Sequence, residues 1–136
     1  MRIAVVDGQG GGIGKCIIEK LRQSLGQEIE IIALGTNALA TSAMLRAGAS
    51  EGASGENAIV VNSFKADIIV GSVGIIAASS MMGELTPAMA RAIAESPAQK
   101  ILIPLNRCGL LVVGSKSIAL PQYIDELVET VKAYMV

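Results

Sequence analysis

The stretch from Arg2 to Leu21 constrains the fold of this chain more than any other. An apolar run, Arg2-Ile-Ala-Val-Val-Asp7, is followed by a glycine cluster, Gly8-Gln-Gly-Gly-Gly-Ile-Gly14, and then by a helical pattern. This order predicts a buried strand that turns sharply into the amino end of a helix. The first backbone N–H groups of a helix lack intrahelical partners and lie at the positive end of its dipole. Because five of the seven loop residues are glycine, a ligand can approach the backbone, and the loop is predicted to bind phosphate.

Strands and helices alternate along the rest of the chain, which is typical of a parallel sheet covered by helices on both faces. Strands are predicted at residues 3–6, 29–34, 49–53, 66–71 and 100–105, and helices at 13–25, 38–47, 57–65, 86–95 and 120–134. Residues 57–65 also have the β-branched character of a strand, so a strand is the alternative there. Residues 110–113 are predicted as a sixth strand that forms an antiparallel hairpin with the fifth through a tight turn at 106–109. The predicted fold is therefore a three-layer, Rossmann-like α/β domain over residues 1–136, with a mostly parallel sheet and an antiparallel edge strand.

Composition excludes several classes of function. The 136 residues are 51% hydrophobic and 17% charged, which indicates one folded domain. The net charge of −1 comes from scattered residues, so neither a nucleic acid nor an anionic membrane is expected as a partner. Histidine is absent, which removes the commonest metal ligand and general base, so no metal is predicted.

The cysteines and the apolar segments predict a cytoplasmic location. Cys16 and Cys108 form neither a CxxC pair nor a disulfide framework, and no secretory leader is recognisable at the amino end. The longest uncharged run, residues 68–83, is shorter than the roughly 20 residues that cross a bilayer. A protein with reduced thiols and no membrane span is expected.

The spacing Gly8-x-x-x-Gly12-x-Gly14, with Ile13 between the last two glycines, resembles the cofactor loop of the short-chain dehydrogenases and reductases. In that family the loop wraps the pyrophosphate of a dinucleotide, so the resemblance implies NAD or NADP. It assigns cofactor contacts to the whole loop, namely Gly8, Gln9, Gly10, Gly11, Gly12, Ile13, Gly14 and Lys15.

Two departures from that family bear on the ribose site and on catalysis. The family commonly has an acidic residue for the ribose hydroxyls after the second strand, where this chain has Thr36 and Asn37. These two residues are the predicted ribose contacts. The catalytic Tyr-x-x-x-Lys pair is absent, since Leu127 follows Tyr123 by four positions. The resemblance therefore supports binding of a dinucleotide and not hydride transfer.

Other interpretations of the loop remain open. Gly14-Lys15 matches the end of a phosphate loop, although Cys16 replaces the hydroxyl that binds magnesium. The loop also resembles the deviant Walker loop of partitioning-type ATPases, with Gly10 in place of the signature lysine. ATP is thus the alternative ligand to NAD or NADP. A purely structural role, in which the glycines only permit the tight turn, is the remaining interpretation.

Further candidates follow the predicted fifth strand and precede the fourth helix. Asn106 and Arg107 are predicted to bind the anionic group of a substrate, and Cys108 or Glu84 is the candidate catalytic residue of a small enzyme acting on a phosphorylated or carboxylated metabolite. Cys16 is predicted on the buried face of the first helix. An apolar group, Met81, Met82, Leu85 and Met89, predicts a lid, a contact in a homo-oligomer or core filling. A non-enzymatic oligomeric ligand sensor is the third class of function.

Four segments along nearly the whole chain resemble a family of short bacterial proteins known as a domain of unknown function. They are Val6-Asp-Gly-Gln-Gly-Gly-Gly-Ile-Gly14, Gly35-Thr-Asn-Ala38, Gly55-Glu-Asn-Ala-Ile59 and Pro104-Leu-Asn-Arg-Cys108. The resemblance implies a bacterial, cytoplasmic protein and assigns no activity to it.

Overall fold

The sheet has five strands, all parallel, in the order β3-β2-β1-β4-β5. The computed structural model describes residues 1–105, 107 and 109–136. The strands are β1 (Arg2–Asp7), β2 (Glu30–Gly35), β3 (Glu51–Ser54), β4 (Ile68–Ser72) and β5 (Gln99–Ile103). The helices are α1 (Gly12–Leu25), α2 (Ala38–Ala47), α3 (Glu56–Ser63), α4 (Pro87–Glu95) and α5 (Leu120–Met135), and a short 3₁₀ helix, Val73–Ile76, follows β4.

Strand β1 lies at the centre of the sheet and is buried on both faces. Ile3 and Val5 pack with apolar side chains of α1, α2 and α5 on one face of the sheet. Ala4 and Val6 pack with those of α3 and α4 on the other face. The alternation of side chains along a strand explains why an unbroken apolar run is needed here. The predicted three-layer α/β fold is confirmed.

Two helices begin at the caps that the sequence indicates. The Oδ1 of Asn37 accepts a hydrogen bond from the N–H of Ala40 at 2.8 Å at the start of α2. At the start of α4, the Oγ1 of Thr86 accepts one from the N–H of Met89 at 3.2 Å, and Pro87 takes the first helical position. Both caps satisfy N–H groups that the helix itself leaves unpaired.

The prediction of an antiparallel sixth strand is wrong. Residues 110–113 form no strand, and the side chains of Leu111 and Val113 are 81% and 97% exposed. Strand β5 ends at Ile103, directly before Pro104, whose nitrogen has no hydrogen to extend the ladder. The segment is instead part of the connection from β5 to α5. Asn106 and Cys108, which belong to the predicted turn, lie outside the described residues.

The prediction that Cys16 is buried is also wrong, since its side chain is exposed. The buried positions of α1 are Gly14, Ile17, Ile18 and Leu21. Helix α1 packs against α2 and α5 as well as the sheet, which moves its buried face toward Ile18. No helix in the described part of the chain is long and apolar enough to cross a membrane.

Candidate functional site

A crevice lies at the carboxyl ends of β1 and β4, where the strand order reverses. The chain builds β2 and β3 on one side of β1 and then crosses to place β4 and β5 on the other. In open α/β sheets, ligands bind in the crevice that opens at this point. A cavity of about 220 Å³ occupies it, lined by Asp7, Gln9, Ile13, Ser72, Gly74, Met81, Met82, Leu105 and Arg107.

Asp7, the last residue of β1, places a carboxylate at the amino end of α1. Its side chain is 7% exposed. Its Oδ1 accepts a hydrogen bond from the N–H of Gly8 at 2.8 Å, and its Oδ2 accepts one from the N–H of Gly14 at 2.7 Å. Burial raises the pKa of Asp7, and the N–H groups of Gly14 and Gly8 oppose that rise. The protein therefore supplies its own anion to the inner face of the helix amino end, where the sequence predicts a phosphate.

Asp7 is not among the site residues predicted from the sequence. The available signal was a single carboxylate between a buried strand and a glycine cluster. An acidic side chain at that position has several backbone N–H groups of the following turn within reach.

Three glycines of the loop are required by packing. A Cβ atom added to Gly14 would lie 2.5 Å from the Sδ of Met44, and one on Gly8 would lie 2.6 Å from the Oγ1 of Thr36. A Cβ atom on Gly11, whose φ is 75°, would lie 2.8 Å from the Cα of Ala40. The structural interpretation of the loop therefore accounts for these three glycines.

Gly10 and Gly12 are different, because nothing lies within 4 Å of a Cβ atom added to either. Among the described residues, neither amide has a hydrogen-bond acceptor. Both residues line an outer groove of about 500 Å³ together with Lys15, Glu19, Ala43, Arg46 and Ala47. The loop therefore has two faces, and Lys15 lies on the outer face, away from the crevice.

Thr36 and Asn37 are joined to the glycine loop through Glu84, and Asn37 also directly, since its Nδ2 donates a hydrogen bond to the carbonyl of Gln9 at 3.0 Å. One oxygen of Glu84, Oε1, accepts hydrogen bonds from the N–H of Gln9 at 2.8 Å, the Oγ1 of Thr36 at 2.7 Å and the Nδ2 of Asn37 at 2.8 Å. These donors hold the pKa of Glu84 below its usual value, with the N–H of Gln9 as the largest cause. The structure thus brings the predicted ribose contacts to the loop, with their donors directed at a carboxylate of the protein. A charged acceptor in this network is poorly suited to donate a proton at neutral pH.

Arg107 lines the same crevice as Asp7 and the loop residues Gln9 and Ile13. No acidic side chain in the described part of the chain pairs with its guanidinium group. The crevice therefore contains a guanidinium group, without an acidic partner among the described side chains, that can hold a phosphate or a carboxylate. The neighbouring predictions, Asn106 for substrate binding and Cys108 for catalysis, lie outside the described residues. Nowhere in the described ranges do three acidic or cysteine side chains gather as a metal site would require.

Residues 2–136 match the protein family described as a domain of unknown function (DUF3842), so the chain belongs to this family. No curated protein matches the chain. A matching solved structure is that of a universal stress protein in complex with cAMP. It has 20% identity, covers 74% of this chain and 94% of its own, and gives a TM-score of 0.39. A similarity this distant carries no argument about what this chain binds.

Proposed function

We propose that this family member binds a nucleotide in the crevice between the ends of β1 and β4. The observation that carries the proposal is that Arg107 and the loop residues Gln9 and Ile13 line one cavity where the strand order reverses. Apolar walls from Ile13, Met81 and Leu105 suit a base or a nicotinamide ring, and Arg107 suits a phosphate. NAD or NADP is the proposed ligand, and ATP is the alternative.

The carboxylate of Asp7 determines where the phosphate is proposed to lie. It is hydrogen-bonded to the N–H groups of Gly8 and Gly14, so a phosphate on this inner face would meet a like charge at short range. A phosphate beside Arg107 avoids that repulsion. The proposed contact is therefore with the arginine, and the helix amino end serves to hold Asp7.

Calorimetric titration with NAD, NADP, ATP and GTP tests the proposal. Arg107→Ala is expected to weaken the binding of the ligand by about tenfold or more, because it removes a charge-assisted hydrogen bond to phosphate. Lys15→Ala is the matched control, since Lys15 is a cation of the same loop that lines the outer groove. Lys15→Ala is expected to change the dissociation constant of the nucleotide by no more than about twofold, as for a distant exposed charge.

Two results would contradict the proposal. Absence of binding by all four nucleotides at millimolar concentration would exclude nucleotide binding. A loss of affinity in Lys15→Ala with none in Arg107→Ala would instead locate the phosphate in the outer groove, on the open amides of Gly10 and Gly12.

A further inference from the structure

We propose that the carboxylate of Glu84 fills a ligand subsite in the free protein. When a nucleotide binds, one of its acceptor oxygens displaces this carboxylate. The subsite consists of three donors: the N–H of Gln9, the Oγ1 of Thr36 and the Nδ2 of Asn37. This inference rests on the proposed function, because it assigns a role to the donors at the edge of the same crevice.

The three donors converge on one point although they belong to two separate connections. Gln9 lies between β1 and α1, whereas Thr36 and Asn37 lie between β2 and α2. All three hydrogen bonds end on the Oε1 of Glu84, with lengths from 2.7 to 2.8 Å. Glu84 itself comes from a third connection, between β4 and α4. A sugar hydroxyl or a phosphate oxygen at the same point would accept from the same three donors.

The segment that carries Glu84 can be released without unfolding its surroundings. We call residues 81–84 the latch. On one side of it, the buried Ser80 donates a hydrogen bond from Oγ to the carbonyl of Gly74 at 2.6 Å. On the other side, the side chain of Leu85 is fully buried in the core. Both anchors can stay in place while the four residues between them move.

The latch has a backbone conformation that favours release. Met81 and Met82 both have a φ of 58°, in the left-handed region that residues with a side chain rarely adopt. Met82 is also 95% exposed, so little packing holds it there. Within the latch, the N–H of Gly83 donates to the carbonyl of Ser80 and the N–H of Glu84 to that of Met81, both at 3.1 Å, and Met81 packs partly buried against the core. The side-chain hydrogen bonds of Glu84 are the restraint that ties the latch to Gln9, Thr36 and Asn37. In addition, the negative charge of Glu84 contributes to the raised pKa of Asp7. Displacement of Glu84 therefore removes a charge repulsion between these two carboxylates.

Nucleotide titration and hydrogen exchange of wild type, Glu84→Ala and Glu84→Gln test the proposal. Glu95→Gln is the control, because Glu95 forms an exposed ion pair with Arg91 on α4. Glu84→Ala is expected to bind the preferred nucleotide about tenfold more tightly than wild type, because no internal competitor has to be displaced. Glu84→Gln, which retains an uncharged acceptor, is expected to fall between the two. Without ligand, the amides of residues 81–84 are expected to exchange faster in both Glu84 variants than in wild type. The melting temperature of the protein is expected to stay unchanged.

The outcomes separate this inference from the proposed function. Equal or weaker binding by a folded Glu84→Ala, with wild type still binding, overturns the latch and leaves nucleotide binding intact. Unchanged exchange of residues 81–84 in both variants also overturns it. Absence of nucleotide binding by wild type and by every variant overturns both proposals. Binding by the Glu84 variants alone supports both.

Discussion

At the scale of single residues, two carboxylates decide what the glycine loop can do. Asp7 satisfies the inner amides of the loop and of the helix that follows, and Glu84 satisfies the amide of Gln9. A glycine-rich turn at a helix amino end attracts anions in general. Here two of the anions are side chains of the chain itself, so a ligand in the crevice is expected to use Arg107 or to replace Glu84.

The buried carboxyl of Asp7 predicts a particular pH dependence of stability. Burial raises its pKa in the folded state above the ordinary value of 3.8. The folded state then binds the proton more tightly than the unfolded chain, so the contribution of Asp7 to stability falls as the pH rises from 3.8 through the raised pKa. Urea unfolding of wild type and Asp7→Asn between about pH 3 and 7 measures the free energy of unfolding. The fall that Asp7 causes is expected in wild type and is expected to be absent in Asp7→Asn.

Asp125→Asn is the control for this experiment, because Asp125 is exposed on α5 and its ion pair with Lys20 joins two solvent-exposed side chains. Glu84 has the opposite effect, because its pKa in the folded state lies below the ordinary value of 4.5. Its contribution to stability is present above pH 4.5 and is lost as the pH falls through the lowered pKa. Parallel pH profiles of wild type and Asp7→Asn would show that Asp7 has no shifted pKa in the folded protein.

At the scale of elements, the glycines at the amino end of α1 are of two kinds: some are required by packing and others are not. Gly14→Ala is expected to destabilise the fold by about 1–3 kcal/mol, because the new methyl group meets Met44 and the Cβ of Asp7. Gly12→Ala is expected to leave stability unchanged or raise it by up to about 1 kcal/mol, since its methyl group meets open space and alanine favours a helix. Denaturant unfolding compares the two variants. Equal effects would show that Gly14 is not constrained by the contact with Met44.

The connection from β5 to α5 shows where local patterns mislead. The apolar sequence of Leu110 to Val113 is typical of a strand, yet these four residues form none and two of their side chains are largely exposed. A strand needs a partner for its ladder as well as a suitable composition. Pro104, which cannot donate a ladder hydrogen bond, marks the end of β5 and is the more informative of the two signals.

At the scale of the whole molecule, the exposed apolar side chains of this connection support the prediction of a homo-oligomer. Leu111 and Val113 would lose their contact with water in an interface between two copies of the chain. Sedimentation velocity is expected to give a mass of more than one chain for wild type and of a single chain for the double variant Leu111→Ser, Val113→Ser. Leu39→Ser, which changes an exposed leucine of α2, is the control. A monomeric wild type, with and without nucleotide, would contradict the prediction and with it the oligomeric sensor.

Strand and helix periodicity, glycine turns and helix caps are local properties, so they predict the three-layer α/β fold from the residues alone. The same patterns identify the glycine loop, Thr36, Asn37 and Arg107 as residues at the carboxyl edge of the sheet. The folded structure was needed to show that Asp7 and Glu84 accept hydrogen bonds from donors at that edge, that Lys15 lies on the outer face of the loop, and that Cys16 is exposed. Those facts depend on contacts between segments far apart in sequence, such as the 75 positions between Gln9 and Glu84, and no local pattern encodes such a contact.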